Sequence, residues 1–312
     1  MTAFRDLSVT EVASGLSFPE GPIAMADGTV VVVEMFGPRL SRVHRDGTVE
    51  TIAEIPGGPN GAAVGPDGAI YVCNNGGAFT PVDLGGMLLP GPFDPDRYIG
   101  GRIQRVDPAT GEVSDLYTEC DGRPLRAPND IVMDGHGGFW FTDHGLRDLA
   151  NRTSDLTGIF YARADGSSIT EAVFPTESPN GIGLSPDGQT LYWAETHTGR
   201  VYQRRLAGVG ELEPAAPLDT SVVLFGLPGM QLLDSLAVDA AGNVCVATLV
   251  NGGITVISPD GSRVDHVATD DLITTNICFG DEDLRTAFVT LSSTGRLVSM
   301  QWPGPGLRLP HQ

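Results

Sequence analysis

Short apolar runs, separated by Asp-Gly and similar pairs, dominate the pattern of hydrophobic and polar positions. The clearest stretch is 178–195, SPNGIGLSPDGQTLYWAE. Asn180 opens it, Ile182 and Leu184 form one short strand, Asp187-Gly188 makes a turn, and Leu191, Tyr192 and Trp193 return. An Asp-Gly pair between two such runs predicts a hairpin, because the turn needs positive φ. The pattern occurs six times, with the turn seven residues after an acid or carboxamide: Glu20 before Asp27-Gly28, Asn60 before Asp67-Gly68, Asn129 before His136-Gly137, Asn180 before Asp187-Gly188, Asp234 before Ala241-Gly242, and Asn276 before Asp283-Leu284. The last copy is the weakest, since it lacks the glycine.

Each hairpin is followed by a third apolar run, at 40–43, 102–106, 158–161, 200–203, 253–256 and 296–299. A fourth follows in five copies, at 49–55, 113–117, 169–174, 222–225 and 264–268. The sixth copy stops at Trp302-Pro303-Gly304 without one, and the stretch 7–13 supplies a spare strand before the first copy. Repeats of this length with several strands each predict an all-β, six-bladed β-propeller, one domain over 1–312, with the N-terminal strand completing the last blade.

In such a ring the first strand of each blade lines the axis. Glu20, Asn60, Asn129, Asn180, Asp234 and Asn276 then gather at one mouth, and the ends of the second strands, Glu34, Asn74, Asp143, Glu195, Thr248 and Thr290, form an outer ring. The loops 76–100, 144–157 and 197–199 open on the same face. The first carries Phe79, Met87, Leu88, Leu89, Pro90 and Phe93, which suits a lid.

Composition narrows the partners. Forty-one glycines and twenty-three prolines fit a turn-rich β chain. A net charge of −20 argues against nucleic acid and suits cations or neutral small molecules. No apolar run is long enough to span a membrane, and the first residues lack a charged segment followed by an apolar one, so a cytoplasmic location is expected. Cys73, Cys120, Cys245 and Cys278 show no C-x-x-C spacing and are expected to be buried free thiols. Nothing marks a protein partner.

Two carboxylates and several carboxamides converging on one axis repel and pay for burial unless a partner offsets both. One divalent cation does so, and all-oxygen ligation favours Ca²⁺ over Mg²⁺ or Mn²⁺, with Zn²⁺ or Fe²⁺ further down the order. Asn60 and Asn276 are expected to cap their strands instead. A cation with open positions polarises a carbonyl and activates water, the chemistry of ester or lactone hydrolysis. The G-x-S-x-G nucleophile elbow is absent. Asp130 and Asp234 are the candidate bases, although regular alternation from Asn129 would turn Asp130 away from the axis. His144 and His197 lie at the same mouth as candidate proton carriers.

These residues resemble the repeats of the senescence-marker-protein, gluconolactonase and luciferin-regenerating-enzyme family over nearly the whole chain. The resemblance rests on FPEGP with Glu20, PNDIVMD with Asn129, SPNGIGLSPDG with Asn180 and LDSLAVD with Asp234. It implies a six-bladed propeller with one divalent cation in its channel, Glu20, Asn180 and Asp234 as ligands, and Asn129 as a further contact. The runs 139–143 (FWFTD) and 191–200 (LYWAETHTGR), with Asp234-Ser235, are similar to the drug-responsive bacterial lactonases. That branch implies Ca²⁺, aromatic or alkyl lactones, and room for a second Ca²⁺ near Asp130 and Asp143. Sugar-lactone members place an arginine where this chain has Ala127, with Arg126 one residue out of register.

The expected function is therefore metal-dependent hydrolysis of a small lactone, apolar or aromatic in preference. Asp234, Asn129, Asp130 and His144 are expected to carry the chemistry, and Glu20, Asn180, Asp234 and Asn129 to hold the cation. A sugar-lactone hydrolase is the nearest alternative, with Glu34, Asn74 and Glu195 available to bind hydroxyls. A strictosidine-synthase-like enzyme and a non-enzymatic binding platform are the others.

Overall fold

The computed structural model describes Phe4 and residues 7–312. The remaining residues of the start, on which part of the leader reading rests, lie outside the described residues. Six antiparallel blades follow one another around an axis, five of them four-stranded and the fourth carrying the extra short strand Glu211–Leu212. Blade one is Pro19–Ala24, Val30–Glu34, Arg39–Val43 and Val49–Glu54. The innermost strands of the other five are Pro59–Val64, Pro128–Met133, Pro179–Leu184, Leu232–Val238 and Thr274–Gly280. Thr10–Ala13 pairs with Arg296–Gln301 and completes the sixth blade, as the count of strands requires. Among the described residues there is no α-helix, only the 3-10 turn Thr220–Val222.

The hydrophobic core lies in the six seams between blades. Val30–Glu34 shows how one strand serves two seams. Successive side chains point to opposite faces, so Val31 and Val33 pack against blade two while Val30 and Val32 pack against blade six. Both faces are covered, and the strand is apolar at nearly every position rather than alternating. All four cysteines are buried free thiols packed in these seams.

Each hairpin turn uses at least one left-handed residue. Gly28 (φ +82°) donates its N–H to Met25 O at 2.9 Å, while Asp27 accepts from Thr29 N at 2.9 Å. In the sixth copy Leu284 takes that conformation (φ +56°), which accounts for its weak sequence signal.

The chain beyond Trp302 crosses the face opposite the lid. Leu307 donates its N–H to Val238 O at 3.2 Å. Leu307, Leu309 and Pro310 then close a cavity in the lower channel, whose walls include Ile23, Val64, Ile131, Ile182, Leu236 and Ile277.

Candidate metal centre

The inner strands are not regular where they meet the mouth. In blades one to five the pairing register slips across the ring residue, between Glu20 and Ile23, Pro59 and Ala62, Pro128 and Ile131, Pro179 and Ile182, and Leu233 and Leu236. A bulge re-aims side chains that strict alternation would send elsewhere. It also removes the alternation objection to Asp130, whose carboxylate accepts from Ile131 N at 2.9 Å and from Ile182 N of the next blade at 3.3 Å.

Missing side chains bring the ring together. A Cβ on Gly21 would lie 2.5 Å from Asn60 O, and one on Gly181 would lie 2.7 Å from Asp234 O. The glycine after Glu20 and after Asn180 therefore lets the next blade's ring residue come alongside. Asn276 closes the circle by donating Nδ2 to Glu20 Oε2 at 3.4 Å. All six ring residues are buried.

The ring's electrostatics are unfavourable for the protein alone. Burial, reinforced by the charges of Asp234 and Asp130, holds the Glu20 carboxyl well above its usual range. Burial pushes Asp234 up to about 7, opposed by the Asn180 amide and reinforced by Asp130. Burial also takes Asp130 to about 7, against hydrogen bonds from Ile131 and Ile182. The side-chain oxygens of Asn60, Asn129 and Asn180 are buried with no hydrogen-bond partner. Each such oxygen costs about 1–3 kcal/mol, and native proteins keep few of them. Among the described residues no three His, Cys, Asp or Glu side chains cluster closely enough to hold a metal. The donor set is two carboxylates with neutral carboxamide oxygens, and it fits a hard divalent cation.

The outer ring has a different job. Glu34 pairs with Arg39 through both oxygens (2.7 and 2.9 Å) and accepts from Ser17 N (2.7 Å) and Ser41 Oγ (2.6 Å). Asn74 Oδ1 accepts from Gly58 N and Gly76 N, both at 2.9 Å. Asp143 accepts three backbone N–H groups, from Arg126 (2.7 Å), Ala127 (2.7 Å) and Gly145 (3.0 Å). These side chains pin the entry to each blade's first strand. Asp143 thus has its lone pairs engaged by backbone, and Glu34 and Asn74 have their polar atoms engaged within the protein. Arg126 forms an ion pair with Asp155 at 2.8 Å.

Four residues that follow the outer ring make the wall above the inner one. Met35, Asn75, His144 and Thr196 each donate backbone N–H to a carbonyl two residues before a ring residue, at 3.0, 2.9, 2.9 and 3.0 Å. Sequence reasoning found His144 and missed the others, although their constant place one residue past Glu34, Asn74, Asp143 and Glu195 was a usable signal. Thr196 Oγ1 accepts from Asn180 Nδ2 at 3.1 Å. Asn75 and Asn60 both direct Nδ2 at the Met35 sulfur, at 3.4 and 3.9 Å. The His144 ring meets Phe79 and His197 edge-on at 5.8 and 5.9 Å. Burial lowers both histidines to about 4, with His197 adding to the effect on His144 and the charge of Arg147 to that on His197.

The loop 76–100 forms the lid. Its hairpin, Pro81–Asp83 with Leu88–Pro90, reaches from blade two to blade six, where Leu88 N–H meets Ser293 O at 2.8 Å. Its base packs Ala78, Phe79, Phe93 and Tyr98 on Ala127 and Leu146 of blade three.

Fold and site together define a six-bladed propeller with an oxygen-lined axial centre. Residues 18–293 match the SMP-30/gluconolactonase/LRE-like region, and the chain belongs to that family. It is 25% identical to a gluconolactonase of Zymomonas mobilis, across 94% of this chain and 82% of that one. It is 27% identical to the lactonase drp35 of Staphylococcus saprophyticus, across 80% of this chain and 68% of that one. Its fold matches regucalcin, a calcium-binding protein of Agrobacterium tumefaciens, at a TM-score of 0.74 with 19% identity, covering 97% of this chain and 98% of that one.

Proposed function

We propose that the chain is a metal-dependent lactonase that uses Ca²⁺ and prefers apolar or aromatic lactones. The observation that carries this reading is the set of partnerless carboxamide oxygens beside two buried carboxylates. The lactonase names of the relatives agree with it, and regucalcin's calcium binding supports the choice of ion by analogy of fold.

Glu20 and Asp234 would bring negative charge to the ion, and Asn129 and Asn180 neutral oxygens. A bound divalent cation supplies a Lewis acid for the ring carbonyl and lowers the pKa of water. Asp234 would take the proton from attacking water, since its carboxyl is raised to about 7 and Ser235 N–H at 3.1 Å holds one of its oxygens. Asp130 lines the lower cavity, beneath the ring, and supports the charge balance from there. His144 is neutral at pH 7 and presents a hydrogen-bonding edge to the mouth, with Nδ1 3.4 Å from Gly145 O. The lid excludes bulk water.

The apolar preference rests on the lid and on the engaged outer ring. Glu34 and Asn74 are held by their own protein partners and Arg126 is paired with Asp155, so these three are not free to grip sugar hydroxyls. The gluconolactonase name of the Zymomonas relative favours the sugar-lactone alternative. Asp234→Asn and Glu20→Gln test the site. Each should lower lactone hydrolysis by roughly a thousandfold while β-type circular dichroism is unchanged. Activity within threefold of the unmodified protein in both would refute the assignment.

A further inference from the structure

We infer that Asn60, from blade two, is a fifth protein ligand of the axial cation, which makes the centre selective for Ca²⁺ over Mg²⁺. The inference rests on the reading of the ring as a metal centre. Four asparagines occupy ring positions, and their hydrogen bonds divide them. Asn276 has its side-chain oxygen satisfied by Ile277 N at 2.8 Å and gives its amide to Glu20. It is a strand cap, as the sequence suggests. Asn60 was expected to be the same and is not. Its Oδ1 is buried without a partner, as are those of Asn129 and Asn180.

The amide of Asn60 has a fixed sense. Its Nδ2 faces the Met35 sulfur at 3.9 Å, and the same sulfur accepts from Asn75 Nδ2 at 3.4 Å. Turning the amide over would set its oxygen against a sulfur that can only accept. The oxygen therefore stays on the other side, away from Met35. The backbone on either side of Asn60 is that of the ring. Asn60 O lies against Gly21, next to Glu20, and a Cβ on Gly61 would sit 2.5 Å from Asn129 O. Asn60 is thus wedged between two residues already assigned to the cation, with an oxygen that nothing in the protein satisfies.

Five protein donors change the choice of ion. Ca²⁺ takes about six to eight oxygens in flexible geometry, which leaves about one to three places for water and a lactone carbonyl. Mg²⁺ takes six in near-ideal octahedral geometry and gives up water reluctantly, so a five-donor ring suits it poorly.

Calcium affinity by calorimetry and the number of ion-bound waters from Tb³⁺ luminescence lifetimes in H₂O and D₂O test this without any activity measurement. Asn60→Leu keeps the bulk and removes the oxygen. It should weaken Ca²⁺ roughly tenfold or more and add one bound water to Tb³⁺, whereas Asn60→Asp, which retains an oxygen, should restore both. If Asn60→Leu does not fold, Asn60→Ala takes its place. Unchanged affinity and water count at Asn60, with both altered in Asn180→Leu, would overturn the fifth ligand and leave the centre standing. No change in any of Asn60→Leu, Asn180→Leu and Asp234→Asn would overturn the centre itself.

Discussion

Asn276 reaches across the seam between the last blade and the first and donates its amide to Glu20 Oε2 at 3.4 Å, on the innermost strands of the two blades. The contact eases the Glu20 carboxylate but does not offset its burial or the charges of Asp234 and Asp130.

A pH dependence of stability follows. The folded chain without a cation holds protons on Asp130 and Asp234 up to about pH 7, and on Glu20 well above its usual range, whereas the ordinary values are 3.8 and 4.5. Between those limits these three carboxyls bind more protons in the folded state than in the unfolded one, so the stability they contribute falls as pH rises from about 4 to about 7, while His144 and His197, neutral in the fold down to about 4, contribute in the opposite sense below about 6.5. The rise in melting temperature on adding Ca²⁺ should be larger at pH 8 than at pH 5, and a larger rise at pH 5 would contradict the charge balance described.

Glu34 is a structural clamp. Its carboxylate is fully buried, while Arg39 is 34% exposed. Glu34→Ala should cost about 2–4 kcal/mol in urea unfolding, because it strands a part-exposed guanidinium, a buried hydroxyl and a backbone N–H. Calcium affinity should not change. A weakened calcium site with normal stability would assign Glu34 to the centre instead.

The lid is held at its far end by the Leu88 N–H to Ser293 O bond. Leu88→Pro deletes that donor. One neutral hydrogen bond is worth about 0.5–1.5 kcal/mol, so KM for an apolar lactone should rise about twofold to tenfold with little effect on calcium affinity. Equal KM values in the two proteins would mean that the hairpin does not cover the substrate.

His144 and His197 stay uncharged down to about pH 4. His144→Asn should therefore lower kcat/KM by less than the roughly hundredfold expected of a main acid-base group, and the pH profile above 6 should keep its shape. Loss of an inflection between pH 6 and 7 would restore His144 as a proton carrier.

The blades were legible because each hairpin fixes a constant distance between the ring residue and its turn, and that distance survives even where Leu284 replaces glycine. The ring itself followed from the same spacing. Three features were not legible. The bulges at Glu20, Asn129 and their equivalents follow from pairing between strands rather than from one residue type, so Asp130 seemed to point away. Asn60 and Asn276 look alike in sequence and differ in the amide's partner, Met35 for one and Glu20 for the other, and in the side-chain oxygen, which Ile277 N satisfies in Asn276 alone. Asp143 and Glu34 carry the right chemistry for a site, but the backbone of the preceding loop, and for Glu34 a neighbouring arginine, already occupies it.

The most direct measurement is lactone hydrolysis by the purified protein before and after EDTA, with Ca²⁺, Mg²⁺, Mn²⁺ or Zn²⁺ added back, on dihydrocoumarin, alkyl lactones and gluconolactone. Activity that is lost with chelator, returns best with Ca²⁺ and is higher on dihydrocoumarin than on gluconolactone is the predicted result. Activity that persists in EDTA, or no hydrolysis of any of these lactones with Ca²⁺ bound, would contradict it.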